Sequence, residues 1–162
     1  MTNSTNSISS TNSARANLTK FNNQTFLTES VEETFELGKE FGQSLSGGET
    51  IEFIGDLGAG KTSFVRGLAE GLGSTDRVSS PTFTISNIYQ CGGLSLVHFD
   101  FYRLAEPGLM QEELSEAIFD PSSTVCVEWA ETVRGVLPKN AIHIEINSPA
   151  ENSREFRFTF EN

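Results

Sequence analysis

Residues 55–62, Gly-Asp-Leu-Gly-Ala-Gly-Lys-Thr, are the stretch of this sequence that decides its fold. They fit the pattern G-x-x-x-x-G-K-[S/T] at every fixed position, and this pattern forms a loop whose backbone N–H groups surround phosphate oxygens. Lys61 is expected to reach the β- and γ-phosphates of a nucleotide, and the Thr62 hydroxyl is expected to bind Mg²⁺. The remaining phosphate contacts are predicted from Gly58, Ala59, Gly60 and Ser63.

The segments on either side of this loop have the pattern that a phosphate site requires. Thr50–Ile54 is an apolar run typical of a buried strand, and Lys61–Leu72 carries apolar residues along one helical face before Gly73. A helix that starts at the loop directs its unpaired N–H groups and positive dipole end at the phosphates. The alternative is a glycine-rich turn that binds no ligand, and the flanking strand and helix argue against it.

The charge of the chain restricts its partners. Of the 162 residues, 22 are acidic and 11 are Lys or Arg, so the formal net charge is −11. Such a surface repels a phosphate backbone, and we expect no direct binding to nucleic acid. The charge would suit a basic protein partner, although it also serves simply to keep a protein soluble. The two cysteines, Cys91 and Cys126, lack the spacing of a zinc site or a disulfide framework, which favours a reducing compartment and a cytoplasmic location.

The first 25 residues differ in composition from the rest. Residues 1–20 are rich in Ser, Thr and Asn, contain no acidic residue and have no apolar core of a secretory signal. We therefore predict a disordered tail over residues 1–25 and one folded domain over residues 26–162. An organelle transit peptide has a similar composition and is the alternative for the tail. No apolar run in the chain is long enough to span a membrane.

Hydrophobic periodicity and turn residues predict the other elements. Ser30 and Glu33 form a capping box, which predicts a helix over residues 31–45 that the following Gly-Gly pair ends. The Cys-Gly-Gly turn at residues 91–93 separates two β-prone runs and indicates a hairpin. The predicted segments are hairpin strands over 83–90 and 94–101, a short helix over Glu112–Phe119, a buried strand over Val125–Trp129, and half-exposed antiparallel strands over Ala141–Ile146 and Glu155–Phe160.

Two predicted strands end in acidic residues, Asp100 and Glu128. The carboxyl ends of parallel strands meet at one edge of an α/β sheet, so either acid would lie beside the phosphate loop. A carboxylate there can hold a metal ion or its waters, which makes both acids candidate metal ligands together with Thr62. The alternative for each is a surface acid that merely follows a strand. Lys61, Asp100 and Glu128 are the candidate catalytic residues.

A hydroxyl-rich segment, Ser79-Ser-Pro-Thr-Phe-Thr84, lies between the loop and these acids. In nucleotide hydrolases a segment at this place can close on the γ-phosphate, whereas a plain turn into the next strand is the alternative. His98 lies on an apolar run, where a structural histidine is favoured over a catalytic one. Trp129, the single tryptophan, is favoured as a core residue over one that stacks on a ligand.

Several motifs together resemble the TsaE family. They are Gly55–Thr62, Ser80-Pro-Thr-Phe-Thr84, His98-Phe-Asp-Phe-Tyr-Arg-Leu104, Glu128-Trp129 and Leu137-Pro138, in that family's order and spacing. Members of the family are small P-loop ATPases of bacterial threonylcarbamoyladenosine tRNA modification, and the resemblance covers residues 26–160. One departure is Ala130, which stands where the family usually has proline after Glu-Trp.

The resemblance implies a fold, cofactors and partners. The fold would be α/β, a single P-loop NTPase domain with a mixed, mostly parallel sheet, added antiparallel hairpins and helices on both faces. ATP and magnesium would be bound, with Thr62 and Glu128 at the magnesium and Asp100 needed for ATP turnover. The partner would be the TsaB–TsaD heterodimer, so that tRNA is involved only indirectly and a membrane not at all. The other nucleotide contacts it implies are Thr82 in a switch-like segment, Arg103 and Trp129, and, by the base or sugar, Arg154 and the segment Ser30–Thr34.

Two other functions share the phosphate loop. A small nucleotide or metabolite kinase is the main alternative, but such kinases usually bring an arginine-rich lid to the phosphates. The seven arginines of this chain are scattered along the sequence, and no lid insertion follows the core. A nucleotide-sensing subunit with negligible hydrolysis is the other alternative. The preference for ATP over GTP follows from the resemblance, supported by the lack of an Asn/Thr-Lys-x-Asp guanine-reading motif.

Overall fold

The computed structural model describes residues 17–161. Strands and helices alternate along the central part of the chain, as an α/β fold requires. The strands are β1 (Thr25–Thr28), β2 (Thr50–Ile54), β3 (Ser86–Cys91), β4 (Leu94–Asp100), β5 (Ser123–Glu128), β6 (Ile142–Ala150) and β7 (Ser153–Phe160). The longer helices are α1 (Val31–Gly42), α2 (Lys61–Gly71) and α3 (Leu109–Phe119), and short 3₁₀ turns cover Ala130–Thr132 and Arg134–Val136.

Within the described residues, seven strands form one mixed sheet in the order β1-β7-β6-β2-β5-β4-β3. The four central strands β6, β2, β5 and β4 are parallel to their neighbours within that group. The outer strands β1, β7 and β3 add antiparallel pairs at the two sides. This is the α/β fold with a mixed sheet that was expected. The parallel pairing brings the carboxyl ends of β2, β4 and β5 to one edge, which is where ligands bind in such sheets.

Helices cover both faces of the sheet, which confirms that part of the expected fold. On one face α1 and α2 pack over a core rich in phenylalanine, and the rings of Phe64 and Phe156 stack with centroids 5.2 Å apart. On the other face α3 buries Leu114 completely against side chains of β4 and β5. Burial of one such side chain contributes about 1.5–3 kcal/mol. The phenylalanine core therefore fixes α2, and the loop that precedes it, against the sheet.

The crossing of α1 and α2 is close because each helix has glycine at its contact points. A methyl group added at Gly38 would lie 2.1 Å from the carbonyl oxygen of Phe64, and one added at Gly67 would lie 1.9 Å from that of Phe35. Real side-chain carbons cannot approach backbone oxygens this closely. The glycines at positions 38, 42, 67 and 71 therefore permit backbone-to-backbone contact, which holds the phosphate-loop helix rigidly against α1.

The folded part of the chain begins before the predicted boundary at residue 26. Phe21 is fully buried, and its ring contacts the rings of Phe26, Phe41 and Phe158 at centroid distances of 5.0–5.4 Å. A single aromatic residue in a Ser/Thr/Asn-rich stretch gives no periodicity, so the composition of residues 17–25 hid a core residue. The remainder of the predicted tail, residues 1–16, lies outside the described residues.

The structure corrects three other predicted elements. Residues 81–85 form a turn instead of the start of a strand, and Phe83 in it is 99% exposed. The strand predicted as antiparallel over Ala141–Ile146 pairs antiparallel with β7 on one side but parallel with β2 on the other. The helix predicted over 31–45 ends at Gly42. Among residues 17–161, no helix has both the length and the apolar character needed to cross a membrane.

Candidate functional site

A cavity of about 640 Å³ opens at the carboxyl edge of the central strands. Its walls come from the loop after β2, the start of α1, the hydroxyl-rich segment before β3, and the turn between β6 and β7. A volume of this size is typical of a small-molecule site. The predicted site residues that line it are Gly58, Gly60, Lys61, Thr62, Ser63, Thr82, Asp100, Glu128 and Arg154.

The loop over residues 55–60 is shaped for close approach to a ligand. Gly60 precedes the first residue of α2 and has φ 99°, a left-handed conformation that favours glycine. Having no side chain beyond hydrogen, Gly60 makes no capping hydrogen bond to the helix. The N-terminal N–H groups of α2 therefore point to the cavity without a side-chain partner, and they and the helix dipole favour an anion there. Ala59 is buried and does not line the cavity.

The Lys61 side chain is held across the base of this loop. Its Nζ donates a hydrogen bond of 2.7 Å to the carbonyl oxygen of Gly55 and lies 3.6 Å from Oε2 of Glu128. The ammonium group also lies 4.6 Å from the ring centroid of Trp129, a cation–π contact. In the part of the chain that the structure describes, two side chains form ion-pair contacts with Glu128, those of Lys61 and His98. Of these two, only Lys61 is a cation whatever the protonation state of the histidine.

Asp100 and Glu128 lie side by side because β4 and β5 pair in parallel with these two residues in register. Both side chains are almost completely buried. The Asp100 carboxylate accepts hydrogen bonds from the Thr82 hydroxyl at 2.7 Å and from the backbone N–H of Tyr102 at 2.9 Å. Glu128 Oε1 lies 2.8 Å from Nε2 of His98. The predicted meeting of both acids at the phosphate loop is therefore present in the structure.

The thiol of Cys126 reports on the electrostatics behind the cavity. Burial raises the pKa of this thiol well above its usual value, and the negative charge of Glu128 raises it further. A thiol in such a position stays protonated and is a poor nucleophile. Cys126 and Cys91 are both buried free thiols. Neither thiol lines the cavity.

These side chains fit a magnesium ion of the kind found in phosphate-loop sites. Mg²⁺ is usually held by one or two carboxylates together with substrate phosphates and waters, and it prefers hard oxygen ligands. Thr62, Asp100 and Glu128 supply a hydroxyl and two carboxylates along one cavity wall. No group of three or more His, Cys, Asp or Glu side chains in the described range forms a metal cluster by itself. Phosphates and waters are the usual remaining ligands of Mg²⁺ in such sites.

Of three residues that the resemblance places near the nucleotide, one lines the cavity in the structure and two do not. Arg154 lines the cavity, where its Nη2 donates to the Gly58 carbonyl oxygen at 3.4 Å. Arg103 is exposed, lies 4.9 Å from the Tyr102 ring centroid and does not line the cavity. Trp129 also does not line this cavity, and its ring lies 4.6 Å from Lys61 Nζ and 4.9 Å from the Tyr102 ring centroid.

Several cavity residues were not predicted from motifs. Ser30 and Thr34 line it, as the resemblance implied, because α1 begins at its rim, and Ser30 caps that helix by accepting from the Glu33 N–H at 3.0 Å. The capping box was visible in the sequence, but its distance from the loop was not. The lining residues that sequence reasoning missed are Glu29, Glu151 and Asn152, and Val31, Leu57 and Ser80 entered only as parts of longer segments.

Comparison with known proteins gives a consistent result. Residues 28–156 match the family described as "Threonylcarbamoyl adenosine biosynthesis protein TsaE". The tRNA threonylcarbamoyladenosine biosynthesis protein TsaE of Bacillus subtilis is 40% identical over 82% of this chain and 82% of its own length. The protein of the same name from Treponema pallidum is 36% identical over 80% of this chain and 95% of its own length.

A solved structure also has the same fold. The crystal structure of Bacillus subtilis YdiB superposes with a TM-score of 0.71 at 34% sequence identity, covering 86% of each chain. The matched range contains the phosphate loop, both strand-end acids and the hydroxyl-rich segment. Sequence, fold and site geometry agree: the chain belongs to the TsaE family.

Proposed function

We propose that this chain binds ATP with magnesium in the cavity at residues 55–63 and hydrolyses it slowly, in support of threonylcarbamoyladenosine formation in tRNA. The observation that carries the proposal is the loop itself. It leads into the N terminus of α2, whose first residues are Lys61 and Thr62 and which has no side-chain cap. The same cavity is lined by the buried carboxylates of Asp100 and Glu128, which are paired neighbours on β4 and β5. Membership of the TsaE family supports the place of this activity in tRNA modification.

Binding would rest mainly on backbone groups and one lysine. The N–H groups around Gly58 and Gly60 would donate hydrogen bonds to phosphate oxygens, and Lys61 would exchange its hydrogen bond with the Gly55 carbonyl for one with phosphate. Arg154 and the start of α1 line the same cavity beside the loop, and they would hold the base or sugar. Magnesium, when bound beside Thr62 and Glu128, supplies positive charge that offsets the phosphate oxygens.

Hydrolysis would depend on Asp100 and Thr82. Thr82 donates to Asp100 at 2.7 Å and is itself 2.8 Å from the Ser80 hydroxyl, so a chain of hydroxyl groups ends at a buried carboxylate. These groups would orient a water molecule in the cavity, and positioning of this kind is a main task of protein groups in phosphoryl transfer to water. Arg103, the candidate for a charge-stabilising arginine in cis, lies outside the cavity. This position supports a slow intrinsic rate.

The proposed partner is the TsaB–TsaD heterodimer. With a formal charge of −11, this chain is a poor ligand for a phosphate backbone, which supports an indirect relation to tRNA through a protein partner in the cytoplasm. The ATPase would then be an auxiliary subunit of the modifying assembly, one that does not form the modified nucleoside itself.

The test is phosphate release from ATP by the purified chain, alone and with the TsaB–TsaD heterodimer. We expect slow magnesium-dependent release by the chain alone and a clear increase when the heterodimer is added. An unchanged rate would contradict the auxiliary-ATPase role. Transfer of labelled phosphate to a nucleoside monophosphate would instead favour a small kinase, and tight ATP binding with no release under either condition would favour a nucleotide sensor.

A further inference from the structure

We propose that His98 is the positioning residue for Glu128, holding this carboxylate in the orientation that a magnesium ion at the phosphate loop requires. This inference rests on the proposed function, because it concerns the same nucleotide site. The motivating observation is the contact between His98 Nε2 and Glu128 Oε1 at 2.8 Å, beneath the floor of the cavity.

The contact follows from the register of two parallel strands. His98 on β4 pairs with Cys126 on β5, and two residues further Asp100 pairs with Glu128. Side chains two residues apart point to the same face of a sheet, so His98 and Glu128 are diagonal neighbours on the face that carries the loop. The imidazole can thus reach forward along the strands to the carboxylate. Any side chain at position 98 would point in this direction, but few are long enough to reach the Glu128 carboxylate.

Packing alone does not account for a histidine at this position. The side chain is completely buried, and Nδ1 has no hydrogen-bond partner anywhere in residues 17–161. A buried polar atom without a partner costs free energy, and an aliphatic residue of similar size would avoid that cost. The imidazole directs its one hydrogen bond to Glu128. The free-energy cost of the unpaired Nδ1 therefore accompanies a hydrogen bond that fixes the Glu128 carboxylate.

The two oxygens of Glu128 have different neighbours. Oε1 contacts His98, and Oε2 lies 3.6 Å from the Lys61 ammonium. When Lys61 turns to phosphate, the His98 contact is the one that remains to orient the carboxylate, and Oε2 is the oxygen left to face the loop. Partners of this kind, which hold a ligating side chain without touching the metal, commonly change metal affinity or activity 10–100-fold when removed.

Asp100 is oriented by different groups, which makes the inference specific. Its oxygens accept from the Thr82 hydroxyl and the Tyr102 backbone N–H. Neither of these donors contacts His98 or Glu128 in the hydrogen bonds of the described residues. A change at His98 should therefore affect Glu128 without displacing Asp100. Loss of the metal-dependent part of nucleotide binding is then attributable to one carboxylate.

Two substitutions of similar polarity separate positioning from general stability. In His98→Gln the terminal amide nitrogen occupies nearly the place of Nε2 and can donate to Glu128. In His98→Asn the side chain is one carbon shorter, and its amide nitrogen corresponds to Nδ1, which faces away from Glu128 in this structure. Both variants place an amide in the core, so they carry similar burial costs. Glu128→Gln serves as the reference for a lost carboxylate.

The experiment measures the affinity of the full chain for a non-hydrolysable ATP analogue, once with Mg²⁺ and once with EDTA. The ratio of the two affinities is the metal-dependent gain. We expect His98→Asn to reduce this gain by about 10-fold or more, toward that of Glu128→Gln, while its affinity in EDTA stays within about twofold of the unsubstituted chain. We expect His98→Gln to keep most of the gain.

Each outcome has a definite meaning. A full metal-dependent gain in His98→Asn would overturn the positioning role and leave the proposed function intact. If His98→Asn fails to fold, as shown by lost binding in EDTA, His98→Gln decides: a lost gain with normal binding in EDTA overturns the inference, and a kept gain supports it. No metal-dependent gain in the unsubstituted chain would overturn the proposed magnesium site itself and, with it, this inference.

Discussion

At the scale of single residues, each functional side chain of the site has only a few hydrogen-bond partners. The Thr82 hydroxyl joins Ser80 to Asp100, with distances of 2.8 and 2.7 Å. Asp100 is buried, and its other oxygen is satisfied by a backbone N–H. Thr82 is thus the one side chain that connects the hydroxyl-rich segment to the strand-end acid, within the hydrogen bonds of the described residues.

We predict that Thr82→Val slows ATP hydrolysis by about 10-fold or more and changes ATP affinity by less than about threefold. Valine keeps the shape of threonine but removes the donor to Asp100, and a hydrogen bond to a charged group contributes about 1.5–3 kcal/mol. Single-turnover hydrolysis and an equilibrium titration measure the two effects separately. Thr82→Ser, which keeps the hydroxyl, is the matched control and should retain most of the rate. Equal rates in the valine and serine variants would contradict this role.

Residue types in a fixed pattern could be predicted from the sequence, and their orientation could not. Lys61, Thr62, Asp100 and Glu128 line the cavity because their spacing follows from strand, loop and helix geometry. The resemblance implies a nucleotide contact for Trp129, but this residue has a left-handed backbone, φ 56°, and its ring lies 4.6 Å from Lys61 Nζ without lining the cavity. A positive φ at a residue other than glycine is uncommon and leaves no signal in a single sequence.

At the scale of elements, the contact between α1 and α2 determines how rigidly the phosphate loop is held. Their glycines let the two backbones touch, so no side chain is available to adjust at the crossing. Both helices were predicted from periodicity and caps, with an end error of a few residues for α1. Their mutual approach could not be predicted, because periodicity shows which face is apolar and not which face meets which helix.

We predict that Gly67→Ala destabilises the protein by about 1–3 kcal/mol or more, because the new methyl group would overlap the Phe35 carbonyl oxygen. Helix propensity alone would favour alanine at this position, so the sign of the change tests the close crossing. Urea unfolding gives the free energy. Gly135→Ala is the control, since an added methyl there has nothing within 4 Å in the described structure. A stabilised Gly67→Ala variant would contradict the crossing.

The sheet shows the same division between what pattern predicts and what it does not. Alternating apolar residues identified β6 and β7 correctly as strands, and the two strands pair antiparallel with each other. The parallel pairing of β6 with β2 was not predicted, because alternation reports exposure on one face and says nothing about the direction of a neighbour. This pairing matters for the site, since it places the β6–β7 turn and Arg154 beside the loop.

At the scale of the whole molecule, the aromatic core extends into the N-terminal segment. Phe21 closes the end of the core between β1, β7 and α1, through ring contacts with Phe26, Phe158 and Phe41. The polar composition around it predicted a tail, because one buried residue per ten gives no periodic signal. Only the packed structure identifies this residue as part of the domain.

We predict that Phe21→Ala lowers the free energy of unfolding by about 3–5 kcal/mol, the usual cost of emptying a buried phenylalanine site. Phe119→Ala is the matched control: Phe119 is 82% exposed, and its removal should change stability by less than about 0.5 kcal/mol. Urea denaturation of both variants provides the comparison. Equal, small losses would show that the segment before residue 26 does not belong to the folded domain.

The central claim is that the loop over residues 55–62 binds the phosphates of ATP, and calorimetric titration with ATP and magnesium tests it most directly. The unsubstituted chain should bind one ATP, and Lys61→Ala should lose at least about 10-fold in affinity, because it removes a charged donor to phosphate. Lys20→Ala, which removes an exposed lysine paired with Glu40, should bind as tightly as the unsubstituted chain. An absence of ATP binding, or equal affinities in all three proteins, would contradict the account.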